Sequence, residues 1–335
     1  MDDGLQLNVA LLKKRVPNLT VAARAAGLRS ATVSNLCTGK IPIGGAEVRT
    51  LATLASIAGC TMDELIIRKS GAGMIETGIR VIDLFAPVVR GGVVGFVARP
   101  MVGQIVMLAE LFRRTRQRGF ATVFWLSGKE VQGIEDATTE VEVTCSTMDE
   151  VYQYIANERG VRDVILGADR SLVLSGEMLA LQEKLKEAGT RPITIALIDT
   201  RGESVDEDSP YGPLDTLWQF DVELASRSLY PAVSPILSTS TILEGAQLEA
   251  THLAIQQRAR KLLRRYRELR ALVNAFGIEK LPESDIANYK QGEQLEAYFA
   301  QPFYVAEPFR PELGEWTSLQ DNLKRVVEIM DGGEK

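Results

Sequence analysis

The chain has 335 residues, 45% of them hydrophobic and 24% charged, with a formal net charge of −6. This composition excludes disorder as the main state, and the length allows two or three domains. No run approaches the roughly 18 apolar residues of a membrane helix, so no membrane insertion is expected. The first residues start acidic and lack an apolar core, so no secretory signal is expected. Cys37, Cys60 and Cys145 are far apart and form no C-x-x-C pair. Neither a zinc knuckle nor a disulfide framework is expected. His252 is the single histidine. It excludes a multi-histidine metal site, makes Ser-His-Asp chemistry improbable, and reads as ordinary packing on an Ala/Leu-rich helix. The expectation is a reduced, cytoplasmic protein without a bound metal.

Charge is unevenly spread. Residues 1–70 carry nine cationic and five acidic side chains, a net +4, and the remainder carries −10. A small basic head on an acidic body suggests two modules, with the head facing a polyanion.

From Val16 onward the head is rich in Ala and Leu and is broken at short intervals. Asn18 can cap a helix through Leu19, Val21, Ala22, Ala25 and Ala26. Gly27 ends it as a left-handed residue. Ser30 can cap a second short helix over residues 31–38, with Val33 and Leu36 facing inward. Gly39 closes that helix, and helical stretches follow at 46–58 and 62–67. Ala23, Gly27, Val33, Ser34, Leu36, Gly39 and Lys40, then LATLASIAGCTMDEL, resemble the phage-repressor (Cro-like) family of helix-turn-helix DNA-binding domains. The resemblance covers most of residues 10–68. It implies that Arg29, Ser30, Ala31 and Asn35 face the major groove, with Thr38 and Lys40 near phosphates. Ser30 and Ala31 are short, and Arg29 and Asn35 are the side chains that can reach a base bidentately. Phosphate contacts are therefore expected to dominate. The alternative is a helical adaptor that binds protein.

After a glycine-rich linker, RKSGAG, the text changes. A β-branched run at 93–97 reads as a buried strand. A helix follows through Val106, Leu108, Leu111 and Phe112. Strands are expected at 121–125, 163–167 and 192–198, separated by helical text such as 177–187. Strands alternating with helices imply a parallel sheet covered on both faces. The phrases IETGIRVIDL, YPAVSPILSTST, RRYRELRALVNAFGIEKL and QPFYVAEPF are similar to the catalytic beta subunit of the rotary ATP synthases, in order, from 74 to about 331. That resemblance implies an α/β fold with a RecA-like nucleotide domain and a C-terminal helical domain. The family's N-terminal β-barrel is replaced by the all-α helix-turn-helix head. The expected domains are 1–68 (head), 69–75 (linker), 76–243 (RecA-like) and 244–335 (C-terminal helices).

A phosphate-binding loop needs GxxxxGK[ST]: glycines expose backbone N–H groups, lysine neutralises the phosphates, and the hydroxyl holds Mg²⁺. The aligned text runs Ala98, Arg99, Pro100, Met101, Val102, Gly103, Gln104, Ile105. Ala98 stands for the first glycine, Gln104 for the lysine and Ile105 for the hydroxyl residue. Pro100 removes a donor N–H. By the resemblance, Lys129 stands for the catalytic glutamate and Thr241 for an arginine, while Asp169 keeps the Walker-B-type carboxylate. The family's adenine-stacking aromatics map to Tyr230, Phe303 and Phe309. The alternative is that these rings hold the sheet against the helices. Arg99 and Lys129 are candidates for replacement positive charge. Arg258, Arg260, Lys261, Arg264, Arg265, Arg267 and Arg270 crowd one helix, either paired to carboxylates elsewhere or forming a second polyanion or partner surface. The acidic stretch 203–208 reads as solvated.

Three functional readings result. The first is a DNA-binding, regulatory protein whose body is a catalytically inactive ATP synthase beta-like domain serving oligomerisation or ligand sensing. The second is a non-catalytic partner or regulatory subunit of an ATP synthase-like complex, with the head as adaptor. The third is a working ATPase, which the loop chemistry opposes. Duplex DNA is the expected partner, and a homo-oligomer is expected. No cofactor is expected, with an adenine nucleotide lacking Mg²⁺ as the one exception considered.

Overall fold

The computed structural model describes residues 5–16, 18–37, 41, 43–68, 73–126, 133–158, 160–207, 210–244, 250–309 and 312–332. The chain divides into two compact units. The main segment of one is Met1–Gly73, and those of the other are Met74–Leu243 and Leu248–Lys335. The described residues contain no helix long and apolar enough to cross a membrane.

In the first unit, strand β1 (Leu5–Leu7) leads into α1 (Val9–Arg15), α2 (Leu19–Ala25), α3 (Ser30–Cys37), α4 (Val48–Ala58) and α5 (Met62–Leu65), then strand β2 (Ile66–Arg68). The stop after α2 falls where the sequence places it. Gly27 has φ 81°, and the Leu28 N–H reaches back to the Ala23 carbonyl at 2.9 Å, a left-handed helix end. The helix starts differ from expectation. Asn18 occupies the N-cap position of α2 without a side-chain capping bond. Ser30 lies inside α3, whose Val33 N–H bonds the Arg29 carbonyl. Side-chain capping appears instead at Asn8, whose Oδ1 accepts from the Leu11 N–H at 3.1 Å. On α4, Leu51, Leu54, Ala55 and Ala58 are buried at the spacing of one helical face. They share a core with Leu12, Ala23, Val33 and Leu36. The helical head also carries a short antiparallel ladder, Leu5 opposite Arg68 and Leu7 opposite Ile66. Strands of three residues are too short to show periodicity.

The second unit begins with β3 (Met74–Ile75), α6 (Arg80–Phe85) and β4 (Val88–Val89). Then come β5 (Val93–Val97), α7 (Gln104–Gln117), β6 (Ala121–Trp125), α8 (Ile134–Glu140), β7 (Val143–Cys145), α9 (Met148–Asn157) and β8 (Val164–Asp169). These are followed by α10 (Ser171–Leu174), α11 (Glu177–Glu187), β9 (Thr194–Ile198), β10 (Thr216–Gln219), α12 (Val222–Ser226), β11 (Thr239–Ser240) and α13 (Thr241–Glu244). Helices α14 (Ala250–Phe276), α15 (Glu283–Phe299) and α16 (Leu319–Met330) complete it. One seven-stranded sheet has the order β11-β10-β5-β9-β8-β6-β7. Its pairs are parallel except β10 with β11. β6 and β9 are buried at every residue, as strands covered on both faces must be. One core holds Phe96, Phe112, Trp218, Leu263, Phe299 and Val326, and a second holds Trp125, Val151, Leu181 and Leu197. The fold is a RecA-like parallel sheet with a C-terminal helical part. The two share the first core and belong to one compact unit. The strand order sets β9 between β5 and β8, which decides the form of the site below.

Two buried titratable groups meet at α6. Asp83 accepts from the Thr77 N–H at 2.9 Å, the Thr77 hydroxyl at 2.7 Å and the Gly78 N–H at 2.8 Å. Burial pushes its carboxyl up from 3.8 to about 7 despite these bonds, and Glu76 adds to the rise. His252 on α14 lies with Nε2 3.1 Å from the Leu84 carbonyl. Burial lowers its ring below 6.5, and that bond opposes the shift. A raised acid contributes stability that is full below 3.8 and lost as pH rises to about 7. A lowered histidine contributes stability that is present above 6.5 and lost as pH falls. Asp83→Asn should therefore gain on the parent protein between pH 3.8 and about 7, at no more than about 1.4 kcal/mol per pH unit. His252→Gln should gain on it below pH 6.5. Denaturant titrations across this range measure both, and a pH-independent difference for either variant contradicts the assignment.

Candidate ligand cavity, filled phosphate loop and nucleic-acid face

The loop between β5 and α7 carries the residues that the sequence resemblance aligns with a phosphate loop. Met101 has φ 64° and Gly103 has φ 97°, so the turn keeps its left-handed steps even with a methionine in one of them. The Met101 side chain is 97% exposed. Gln104 turns inward and is 3% exposed. Its Nε2 donates to the Asp199 carbonyl at 2.7 Å, and its Oε1 is buried without a hydrogen-bond partner. Arg99 donates to both oxygens of Asp206, at 2.9 and 2.8 Å. Gly202 presses on the same loop: a Cβ there would stand 2.3 Å from Pro100 Cδ. The segment after β9 thus lies over the loop after β5, as the adjacency of the two strands requires. The chemistry of this loop does not fit a magnesium triphosphate. The lysine position holds a neutral amide already spent on a carbonyl. The hydroxyl position holds Ile105, packed against the core. Arg99 is paired with Asp206, both side chains exposed. In the acidic stretch 203–208 the side chains of Glu203, Asp206 and Glu207 are exposed, as expected, while Ser204 is fully buried and Glu207 pairs with Arg170.

Asp169 ends β8. Its carboxylate accepts from the Ser171 N–H at 2.9 Å, the Thr200 N–H at 3.1 Å and the Thr200 hydroxyl at 2.7 Å. Burial alone would raise this carboxyl, but the bonds from Ser171 and Thr200 hold it below its ordinary value. It ties the ends of β8 and β9 together. Thr241 is the exposed first residue of α13. Lys129 lies outside the described residues.

Beside the loop is a cavity of about 480 Å³, lined by Val102, Gly103, Val106, Met107, Phe220, Tyr230, Pro231, Ala232, Phe303 and Ala306, with Met101, Ser228 and Glu312 among the others. A Cβ on Gly103 would sit 3.7 Å from the Tyr230 ring, so that ring stands over the start of α7. The Tyr230 carbonyl accepts from the Gln301 N–H at 2.8 Å, which brings the start of the Phe303 segment to the same wall. Tyr230 and Phe303 both line the cavity and pack with the core, so the two readings of these rings are compatible. Phe309 is a correction. It is 84% exposed and is not among the described lining residues. The 3-10 turn Tyr304–Phe309 contains Pro308 and is pinned at its start by Glu110, which accepts from the Tyr304 and Val305 N–H groups at 3.1 and 3.0 Å. Sequence reasoning missed Met107, Phe220 and Ala306 as lining, and Asp199, Gly202 and Asp206 as the filling of the loop. The available signal was Gln104, whose long amide at a lysine position needs a partner.

On α3, Val33 and Leu36 point into the head. Arg29, Ala31 and Ser34 are exposed, and Ser30 and Asn35 are half-buried. Arg24 on α2 is exposed and donates to the Ser30 hydroxyl at 3.4 Å. Thr38 and Lys40 lie outside the described residues. The cationic face of α14 is largely neutralised. Arg258 pairs with Asp331 at 2.5 Å, Arg265 with Asp285 at 3.0 Å, Arg267 with Asp221 at 3.8 Å, and Arg270 with Glu223 and Glu296. Arg260 donates to the carbonyls of Pro235, Phe85 and Ser238. Lys261 and Arg264 are exposed.

The strand order, the loop feeding α7 and the helical part behind the sheet define an ATP synthase-like fold. Among solved structures, the chain is similar to the structure titled as a unique ATP synthase subunit, NeqB, from Nanoarcheaum equitans. The TM-score is 0.60 and the identity 16%, over 79% of this chain and 77% of that one. No protein-family model matches the sequence.

Proposed function

We propose that this chain is a DNA-binding protein whose body is a catalytically inactive ATP synthase beta-like domain, used for self-association or ligand sensing. The observation that carries this reading is the filled phosphate loop, with the Gln104 amide bonded to the Asp199 carbonyl at 2.7 Å. It removes the chemistry that such a fold would otherwise supply and leaves binding as the work of the molecule. The head supports the DNA reading through the net +4 charge of residues 1–70 and through Arg24 and Arg29, exposed beside α3. With Ala31 and Ser34 on the outer face, phosphate contacts supply most of the affinity.

Fluorescence anisotropy of the full chain on duplex DNA tests the reading. Binding should weaken steeply with salt, as counterion release requires. Lys40→Glu, at the position expected near a phosphate, should weaken all sequences about equally. Asn35→Ala should reduce any sequence preference, by roughly 1–3 kcal/mol if Asn35 reads adenine. Absence of duplex binding at low salt would overturn the DNA assignment. It would favour the second reading, a non-catalytic partner in an ATP synthase-like complex, which the fold likeness to an ATP synthase subunit supports.

A further inference from the structure

We infer that the exposed side of α14 around Lys261 and Arg264 is a second DNA-binding surface, which contacts the phosphates of duplex DNA. The inference rests on the reading of the chain as a DNA-binding protein and adds to it a contact outside the head. Between Ala250 and Arg267, α14 carries six cations and no acid. Carboxylates of neighbouring elements neutralise only part of this run. Arg265 pairs with Asp285, and Arg267 with Asp221. Among the described residues, Arg260 donates to the carbonyls of Pro235, Phe85 and Ser238 and to no carboxylate, so its charge is not balanced. Lys261 and Arg264 are exposed, and among the described residues no carboxylate pairs with either.

Arg264 stands four residues after Arg260 and three after Lys261, and like charges at these spacings disfavour a helix. Burial holds the Arg260 guanidinium below its ordinary value, and the charge on Arg264 lowers it further. This part of α14 thus holds unbalanced positive charge that an anion would relieve. Arg258 extends it by one turn. Its partner is Asp331, at 2.5 Å with both side chains exposed, and an exposed pair of this kind contributes little, so Arg258 can turn to a phosphate. The outer face of a helix is convex and has no walls to enclose a small anion. An extended polyanion fits it better. Duplex DNA carries a charge for about every 1.7 Å of its axis, so the cations from Arg258 to Arg264, spread over about 9 Å of helix, can meet phosphates together.

The test is fluorescence anisotropy of the full chain on one duplex DNA at a series of salt concentrations. Lys261→Ala combined with Arg264→Ala should weaken binding by about tenfold at low salt. It should also reduce the steepness of log K against log salt by about 2, since each neutralised phosphate contributes about 0.9. Lys186→Ala combined with Arg191→Ala removes the same two charge types from exposed positions elsewhere and should leave the slope of the parent. Lys261→Arg combined with Arg264→Lys keeps both charges and should do the same. The α14 side chains are exposed, so the melting temperature should not move; should the alanine pair lower it, Lys261→Gln with Arg264→Gln gives the same readout with the long side chains kept. Parent-like affinity and slope for the α14 pair overturn this inference and leave the DNA reading intact. An equal loss in the α14 pair and the Lys186/Arg191 pair is an effect of net charge and also overturns it. A parent chain that binds no duplex at low salt removes the DNA reading, and this inference with it.

Discussion

Replacing Glu110 by alanine should cost the second unit about 3–5 kcal/mol of folding stability, the loss expected when one partner of a buried ion pair is removed. Glu110 and Arg114 lie one turn apart on α7, both side chains fully buried, with Arg114 Nε 2.5 Å from Glu110 Oε1. Glu110 also accepts from the backbone of Tyr304 and Val305. Arg114 donates to the carbonyls of Gly78 at 3.1 Å and Glu315 at 2.8 Å, and its guanidinium carbon lies 4.8 Å from the Tyr304 ring centroid. The pair thus fastens residues on both sides of the Tyr304–Phe309 turn to the helix that carries the filled loop. Alanine at 110 strands the guanidinium and leaves two backbone donors unsatisfied. Replacing both partners with methionine should recover much of the loss, since no buried charge then remains. Denaturant unfolding measures both, and a cost below about 1 kcal/mol for Glu110→Ala would contradict the argument.

No inorganic phosphate should be released from ATP and Mg²⁺ above the level of buffer, and Asp169→Ala should leave that result unchanged. Phosphoryl transfer depends almost wholly on positioning and on cations that meet the developing charge. Here Gln104 and Ile105 replace the lysine and hydroxyl, and the surviving Asp169 carboxylate is committed to Ser171 and Thr200. By the resemblance, Thr241 stands for an arginine. Gln104→Lys alone should not create turnover, because Arg99, Asp206 and Gly202 still close the loop. Turnover that disappears on Asp169→Ala would overturn the prediction. A sensitive phosphate-release assay on the intact chain decides it.

The two predictions rest on different parts of the chemistry. The lack of a cation and a hydroxyl in this loop is a matter of which atoms the side chains carry, and it is legible at Gln104 and Ile105 without coordinates. The importance of Glu110 is not, because a charged pair four residues apart on a helix is usually a solvated one. Only the burial of α7 on both sides turns it into a structural anchor. The same distinction separates the α14 arginines, which look like a basic surface in sequence and are mostly spent on carboxylates and carbonyls in the fold.

Local sequence determined the central strands and the helix stop at Gly27. A β-branched run such as 93–97 or an αL glycine carries its conformational preference within a few residues. It also determined which chemistry the loop lacks. Tertiary structure alone decided where Gln104 and Arg99 spend their donors, since their partners lie 95 and 107 residues away and meet them through the pairing of β5 with β9. It alone exposed Phe309 while leaving Phe303 in the cavity, two aromatics six residues apart whose identities are the same and whose burial is set by the turn pinned to Glu110. It alone closed the head with a ladder between Leu5–Leu7 and Ile66–Arg68. Side-chain type and local backbone preference are properties of short segments, whereas a hydrogen-bond partner or a cavity wall is a property of which distant segments the strand order brings together.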